Sequence, residues 1–249
     1  MIKIVVMGAG RMGTLIRTVA EAARTEAGEP AFEVVAQIGF DLSELEGAPA
    51  ADAIVDFSNV ATLDAVAAYV CRTGAALVSG TTGYSEEQLA TLRALGEDAP
   101  VLWSGNYSIG IAALRHLVAQ ATRELPGFDV EIVECHHNQK VDAPSGTAKM
   151  LLDEVAATKA EIGAGTYEPI YGRSGLCGAR DPHEVGMHSL RGGTVAGVHE
   201  VHFFGPSEEV TLTHRAESRE IFVNGALAAT RKLVGMAPGF YTFDEVMFG

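Results

Sequence analysis

Between positions 134 and 149 the chain reads ECHHNQKVDAPSGTAK, which gathers two imidazoles, an ammonium and a run of small residues. His136 is a candidate proton donor, because an imidazole titrates at about pH 6.5 and exchanges a proton near neutrality. Lys140 is the only Lys or Arg between positions 124 and 148, so any anion bound there has one local cation. Asp142 follows, then Pro144, which stiffens the approach to a helix. Ser145 suits the N-cap of that helix, and the first N–H groups, near Gly146 and Thr147, can hold a carboxylate. Together these types suit a small anion that must gain a proton.

A metal is the alternative use of such residues. Cys135, His136 and His137, with His199 and His202 far along the chain, match no standard zinc spacing. Neighbours on a strand also point to opposite faces. No metal site is therefore expected. His183, His188, His199, His202 and His214 are read as structural or surface groups.

The N-terminus carries a second motif. Ile2, Ile4, Val5 and Val6 form an apolar run that ends in GAGRMG, and helical spacing follows at Met12, Leu15, Ile16, Val19, Ala20 and Ala23. Gly8, Gly10 and Gly13 thus form G-x-G-x-x-G between a strand and a helix. The first glycine permits the turn, the second admits a pyrophosphate close to the backbone, and the third lets helix and strand pack. Ala9, Arg11 and Met12 belong to the same loop and face the same ligand.

The elements that must hold these motifs follow from periodicity. Strands are predicted at 32–39, 52–58, 75–80 and 100–105, with helices at about 61–73 and 86–95, the latter opened by a Ser85/Gln88 capping box. Alternating strands and helices give a Rossmann-type, doubly wound parallel sheet, which binds ligands beyond its strand ends. DFS (56–58), SGTTG (79–83) and SGNYSIG (104–110) lie at three such ends. A helix from Ile109 to about Leu125 leads to a strand at 128–137 and a helix at 146–158. The stretch 159–186 reads as one or two long loops. Three consecutive strands near 187–193, 197–205 and 208–218 suggest a second α+β domain with an open, mostly antiparallel sheet. A last helix near 221–234 returns to the first domain. The predicted division is 1–106 with 217–249 for dinucleotide binding, and 107–216 for substrate binding and oligomerisation.

Composition narrows the function. The 249 residues carry a formal net charge of −14, which repels phosphate backbones, so no nucleic-acid partner is expected. No apolar run approaches the roughly 20 residues of a membrane span. The three cysteines have no regular spacing, and the N-terminus lacks the basic and apolar regions of a signal peptide. A cytoplasmic protein is expected.

The stretch ECHHNQKVDAPSGTA resembles the signature of the dihydrodipicolinate (4-hydroxy-tetrahydrodipicolinate) reductase family of lysine and diaminopimelate biosynthesis. GAGRMG, DFS, GTTG (80–83), GNYSIG (105–110) and RAESREIFVNGALAATRKL match in order, so the similarity covers essentially the whole chain. The resemblance implies NADH- or NADPH-dependent reduction of a dianionic cyclic imine. It implies His136 as general acid and Lys140 as a second essential residue that binds or protonates the substrate. His137, Gly146 and Thr147 match positions that hold its carboxylates. Gly80, Thr81 and Thr82, with Ser104, Gly105, Asn106 and Tyr107, match segments around the nicotinamide. It further implies domain closure over the cofactor and a homotetramer built on the second domain's open sheet. A non-catalytic dinucleotide sensor would need neither His136 nor Lys140. A related amino-acid or semialdehyde dehydrogenase would lack the carboxylate site at Gly146 and Thr147.

One feature departs from the usual dinucleotide pattern. The second strand normally ends in an acid that bonds the ribose and favours NADH. Here Gly39 takes that place and Asp41 is the nearest carboxylate, while no Lys or Arg occurs between Arg24 and Arg72. Only Arg11 could meet a 2′-phosphate. The expectation is use of both cofactors with a modest preference for NADH.

Overall fold

The computed structural model describes residues 1–249. From the N-terminus run β1 (Ile2–Met7), α1 (Arg11–Ala22), β2 (Phe32–Ile38), the short α2 (Ser43–Glu46), β3 (Ala53–Asp56), α3 (Leu63–Thr73), β4 (Ala76–Ser79), α4 (Glu86–Leu95) and β5 (Pro100–Trp103). Then come α5 (Ile109–Glu124), β6 (Asp129–His136), α6 (Gly146–Glu161), β7 (Glu168–Ile170), β8 (Glu184–Arg191), β9 (Gly197–Gly205) and β10 (Glu208–Ala216). The chain ends in α7 (Glu220–Leu233), β11 (Gly239–Tyr241) and α8 (Phe243–Phe248). Two compact units result, Met1–Ile109 with Glu220–Gly249, and Gly110–Arg219.

The first unit is a six-stranded sheet in the order β11-β5-β4-β3-β1-β2, with every pairing parallel. Its central strands are apolar along their length because helices cover both faces; Ile4 to Met7 and Ala53 to Val55 are wholly buried. The strand order reverses at β1, which lies between β2 and β3, and a doubly wound sheet binds its ligand at such a switch. The Ser85/Gln88 capping box forms as the sequence requires, with both reciprocal bonds present. α7 packs on α1, and β11 then adds an edge strand beside β5. β11 escapes sequence reading because three residues are too short to show a period.

The second unit holds a five-stranded sheet in the order β10-β9-β6-β8-β7. This corrects the expectation of a mostly antiparallel sheet. β10, β9 and β6 are antiparallel neighbours, whereas β6, β8 and β7 run parallel, so the sheet is mixed. The expectation assumed that consecutive strands pair. Instead the link from β8 to β9 passes over the end of β6, with Gly192 N donating to His136 O (2.9 Å) and Asn138 N donating to Gly193 O (3.2 Å). β6 is thereby inserted between two strands that follow one another in sequence. The stretch 159–186 is also not all loop, since α6 continues to Glu161 and β7 lies within it.

β6 alternates cleanly. Val130, Ile132, Glu134 and His136 are buried, and Glu131, Val133 and Cys135 are half-buried on the open face. The apolar members of the buried row pack with Leu114 and Val118 of α5 and Leu151 and Val155 of α6. Each such side chain contributes about 1.5–3 kcal/mol by leaving water. No helix is long and apolar enough to cross a membrane.

Candidate functional site

The first unit presents the glycine loop at the β1 end. Gly8 adopts φ +120°, and a Cβ there would lie 2.7 Å from Phe57 O. A Cβ on Gly13 would lie 2.0 Å from Gly8 O, so only glycine lets α1 start this close to β1. A Cβ on Gly10 would meet nothing within 4 Å, which leaves the backbone open to a ligand. Ala9, Gly10 and Arg11 are exposed and Met12 is half-buried. No side chain caps α1 at Gly10, so its first N–H groups face outward, an arrangement suited to phosphate.

A cavity of about 520 Å³ opens beside this loop, between Gly39 and Phe40 after β2 and Phe57, Ser58 and Asn59 after β3. None of its lining residues is charged. Asp41 is turned into its own loop, its Oδ1 accepting from Ser43 N (3.0 Å) and Ser43 Oγ (2.6 Å). Phe40 is fully exposed at the rim. The cavity lining therefore holds neither a carboxylate nor a cation.

Beyond β3 and β4 the strand ends are tied to one buried carboxylate, Asp56. Its Oδ1 accepts from Ser58 N (3.2 Å) and from the Ser58 hydroxyl. Its Oδ2 accepts from Ser79 Oγ (3.0 Å), Thr81 Oγ1 (3.0 Å) and Tyr84 OH (3.3 Å). Burial pushes the Asp56 pKa up, and the four hydroxyls pull against that. Thr81 is held on its backbone too, where its carbonyl accepts from Trp103 Nε1 (2.9 Å). A Cβ on Gly80 would collide with the Phe57 ring at 2.3 Å. Thr82 is exposed. Ser104 and Asn106 close a turn, with Ser104 Oγ donating to Asn106 O (2.7 Å), and Gly105 is exposed at its tip. Tyr107 is a core residue whose hydroxyl donates to Ser79 O (2.7 Å) and whose ring packs against Phe57 and Phe243. Its side chain anchors the turn in the core.

The second unit holds the histidine cluster. Period-two alternation puts Glu134 and His136 on one face of β6. Glu134 is wholly buried and meets donors on both oxygens. Arg191 from β8 bonds it twice, Nη1 to Oε2 (2.9 Å) and Nη2 to Oε1 (2.8 Å). Ser145 N donates to Oε1 (3.2 Å), and His136 Nδ1 lies 2.5 Å from Oε2. Burial alone would raise the Glu134 pKa; the bonds from Arg191, Ser189 and His136 outweigh it and bring it down to about 2. For His136, burial lowers the imidazole pKa, and Glu134 opposes this. Lys140 and Arg191 add to the lowering.

Ser145 caps α6 as expected, accepting from Ala148 N at 3.1 Å, and its Oγ also lies 3.1 Å from His199 Nε2. Of the structural or surface reading given to His199, the buried position fits the structural one. The His199 ring stands edge-on to His136 at 5.2 Å, and burial lowers its pKa to about 4. His137 is half-buried at the end of β6, Gly146 is exposed and Thr147 half-buried in the first turn of α6. Lys140 sits in the loop between them, its Nζ 2.8 Å from Asp142 Oδ1. Arg191 Nη2 also donates to Asp142 O (2.7 Å), which ties that loop to the sheet. No group of three or more His, Cys, Asp or Glu is arranged to hold a metal ion. Another cavity, about 570 Å³, lies near Glu168, Asp181 and His183, and none of the cluster residues lines it.

His136, Lys140 and Ser145 are named from the sequence, whereas their bonded neighbours Glu134 and Arg191, and the packing of His199 against His136, are not. Glu134 was detectable, since it stands two residues before His136 on a predicted strand. Arg191 and His199 were not, because β8 and β9 become the neighbours of β6 only through the crossing link.

Comparisons with known proteins agree in direction. Residues 2–107 match the family described as dihydrodipicolinate reductase, N-terminus, and residues 110–247 match dihydrodipicolinate reductase, C-terminus. A 4-hydroxy-tetrahydrodipicolinate reductase of Caldanaerobacter subterraneus subsp. tengcongensis is 38% identical over 99% of this chain and 98% of its own. One from Staphylococcus aureus (strain JH9) is 45% identical over 68% of this chain and 69% of its own. Among solved structures, dipicolinate-bound dihydrodipicolinate reductase from Paenisporosarcina sp. TG-14 covers 100% of both chains with TM-score 0.75 at 22% identity. The amine dehydrogenase of Mycobacterium smegmatis shares the fold at TM-score 0.60 and 13% identity, covering 98% of this chain and 95% of its own.

Proposed function

The chain belongs to the dihydrodipicolinate reductase family, and on that premise we propose that it reduces the cyclic imine formed from 4-hydroxy-tetrahydrodipicolinate to tetrahydrodipicolinate. Membership makes it a pyridine-nucleotide oxidoreductase of the reduction step in lysine and diaminopimelate biosynthesis. The carrying observation is the His136 imidazole, buried against ionised Glu134, with Lys140 and the start of α6 close by in the chain.

The division of labour follows from the two units. Residues 1–106 with 217–249 bind the dinucleotide, and residues 107–216 bind the substrate. A bound nicotinamide supplies the hydride. The glycine loop, Gly8 to Gly13, holds its pyrophosphate on the open N–H groups of α1. Gly80 to Thr82 and Ser104 to Tyr107 form the nicotinamide side; the Asp56 bonds keep the first of these turns in place, and the Ser104 and Tyr107 hydroxyl bonds keep the second. The substrate is a dianion. Gly146 and Thr147 at the helix start and His137 take its carboxylates, and Lys140 exchanges Asp142 for one of them. His136 then gives a proton to the enamine left by hydride addition. An anionic substrate on a chain of net charge −14 needs this local gathering of cations.

Both NADH and NADPH are accepted, with a modest preference for NADH, because the cavity at Gly39 and Phe40 has no charged lining residue. A homotetramer forms through the open face of the second sheet. There Leu190 stands opposite Cys135 in register, Phe204 stands opposite Asp129, and both large apolar groups are exposed. The protein works in the cytoplasm, with no nucleic-acid or membrane partner.

The test supplies the purified chain with freshly made product of the preceding synthase reaction and follows nicotinamide absorbance. Oxidation of both cofactors, with kcat/KM somewhat higher for NADH, is expected. No oxidation with either would overturn the reading; a strong NADPH preference would overturn its cofactor part alone.

A further inference from the structure

We propose that Glu134 is a positioning residue that keeps the His136 proton on Nδ1, so that Nε2 is the atom which carries and releases the proton used in reduction. The proposal rests on the reading of His136 as general acid and adds the atom and the device.

Three observations support it. First, Glu134 can only accept. Arg191 bonds both of its oxygens, Ser145 N donates to Oε1, and no exposure remains to hydrate a proton there. A carboxylate held this way is ionised, so the His136 Nδ1 facing Oε2 at 2.5 Å must be the donor. The neutral ring is then the Nδ1–H tautomer with a bare Nε2. Protonation adds the second hydrogen at Nε2, the only ring nitrogen left for it.

Second, the facing strand places no side chain at the position beside Nε2. At Gly197, the first residue of β9, a Cβ would lie 3.1 Å from His136 Nε2. That is tighter than ordinary contact, so a side chain at position 197 would displace the ring. Nothing about the backbone demands glycine there, since Gly197 is not among the glycines with positive φ. Its use is clearance.

Third, the surroundings of His136 act, on balance, to lower its pKa and so favour release of the proton. The groups that face His136 are Glu134 on its own strand, Arg191 from β8, Lys140 from the loop, and His199 from β9, with His214 of β10 behind His199. Glu134 favours the imidazolium, while burial, Lys140 and Arg191 disfavour it. Arg191 thus keeps Glu134 ionised and at the same time limits how far Glu134 can stabilise the charged ring. The proton bound at Nε2 is therefore one that His136 can give up.

Two measurements test this. Imidazole nitrogen chemical shifts of histidine-labelled wild-type protein, without cofactor or substrate, report the neutral tautomer directly. The Nδ1–H form of His136 is expected, and the Nε2–H form would overturn the proposal even if His136 proves to be the acid. The pH profile of kcat/KM then separates positioning from mere structure. Activity falls as pH rises through the His136 pKa, because the acid form is lost. Glu134→Gln removes the charge that favours imidazolium and should move that alkaline limb down by about 1 pH unit, while Arg191→Met should move it up. Lower rates with unmoved limbs in both variants would make Glu134 and Arg191 structural only. Should His136→Gln keep full turnover, the acid assignment itself fails, whatever the tautomer.

Discussion

Two carboxylates are buried at strand ends in this chain, and they are solved differently. Asp56 in the first unit meets hydroxyls of Ser58, Ser79, Thr81 and Tyr84 and no cation, and burial raises its pKa. Glu134 in the second meets Arg191 twice and His136, and its pKa falls to about 2. Hydroxyls satisfy a carboxylate without neutralising it, so Asp56 acts as a tether that joins two turns, the one after β3 and the one after β4. A guanidinium neutralises it, so Glu134 can stay ionised beside a titrating ring. The first arrangement suits holding a cofactor; the second suits moving a proton.

The largest effect should come from the proton side. His136→Gln should lower kcat by about 10²–10⁴-fold, the usual worth of a positioned general acid, with cofactor affinity unchanged. Lys140→Ala should raise KM and lower kcat together, again without changing cofactor affinity. A tenfold loss of cofactor affinity in either variant would move that residue to the dinucleotide side and break the comparison.

Stability against pH should sharpen it. The Glu134 pKa is depressed in the folded state from 4.5 to about 2, so its contribution is present above about pH 4.5 and is lost as pH falls toward 2. The amount is on the order of 3 kcal/mol. The Asp56 pKa is raised, so the sign reverses: protonation favours the fold, and that gain is lost as pH rises through the folded pKa. Acid unfolding of Glu134→Gln should accordingly lack part of the wild-type decline below pH 4.5, whereas Asp56→Asn should keep it. Equal declines in wild type and Glu134→Gln would mean that Glu134 is not held ionised.

The smallest effect concerns cofactor choice. Arg11 is exposed at the head of α1, so Arg11→Ala should weaken NADPH a few-fold more than NADH, as one solvated contact to a phosphate would. Titrating both cofactors into the variant measures this directly. Equal weakening would leave the 2′-phosphate without a partner in this loop.

What the sequence reveals differs between the two carboxylates as well. The parallel sheet was legible because its strands are continuous apolar runs and its glycines sit at the β1–α1 junction, where Gly8 and Gly13 are sterically required. Asp56 was visible only as part of a strand-end DFS, since its partners come from residues 79 to 84 across a strand pairing. In the second unit the sequence showed His136, Lys140 and Ser145, which are neighbours along the chain. Arg191 and His199 lie more than forty residues further on and arrive because the β8–β9 link crosses the end of β6, a topology that alternation of apolar residues does not encode. Long-range polar partners were lost for the same reason that the mixed sheet was.

The most direct measurement sets cofactor dissociation constant and kcat side by side in Asp56→Asn and Glu134→Gln. Trp103, the single tryptophan, donates to the Thr81 carbonyl and gives a fluorescence signal for cofactor binding. Asp56→Asn should raise the cofactor dissociation constant about tenfold, about the worth of one hydrogen bond, with a smaller change in kcat. Glu134→Gln should lower kcat and leave the dissociation constant where it is. If Asp56→Asn instead lowered kcat with cofactor affinity intact, or Glu134→Gln loosened the cofactor, the division between tether and proton site would be wrong.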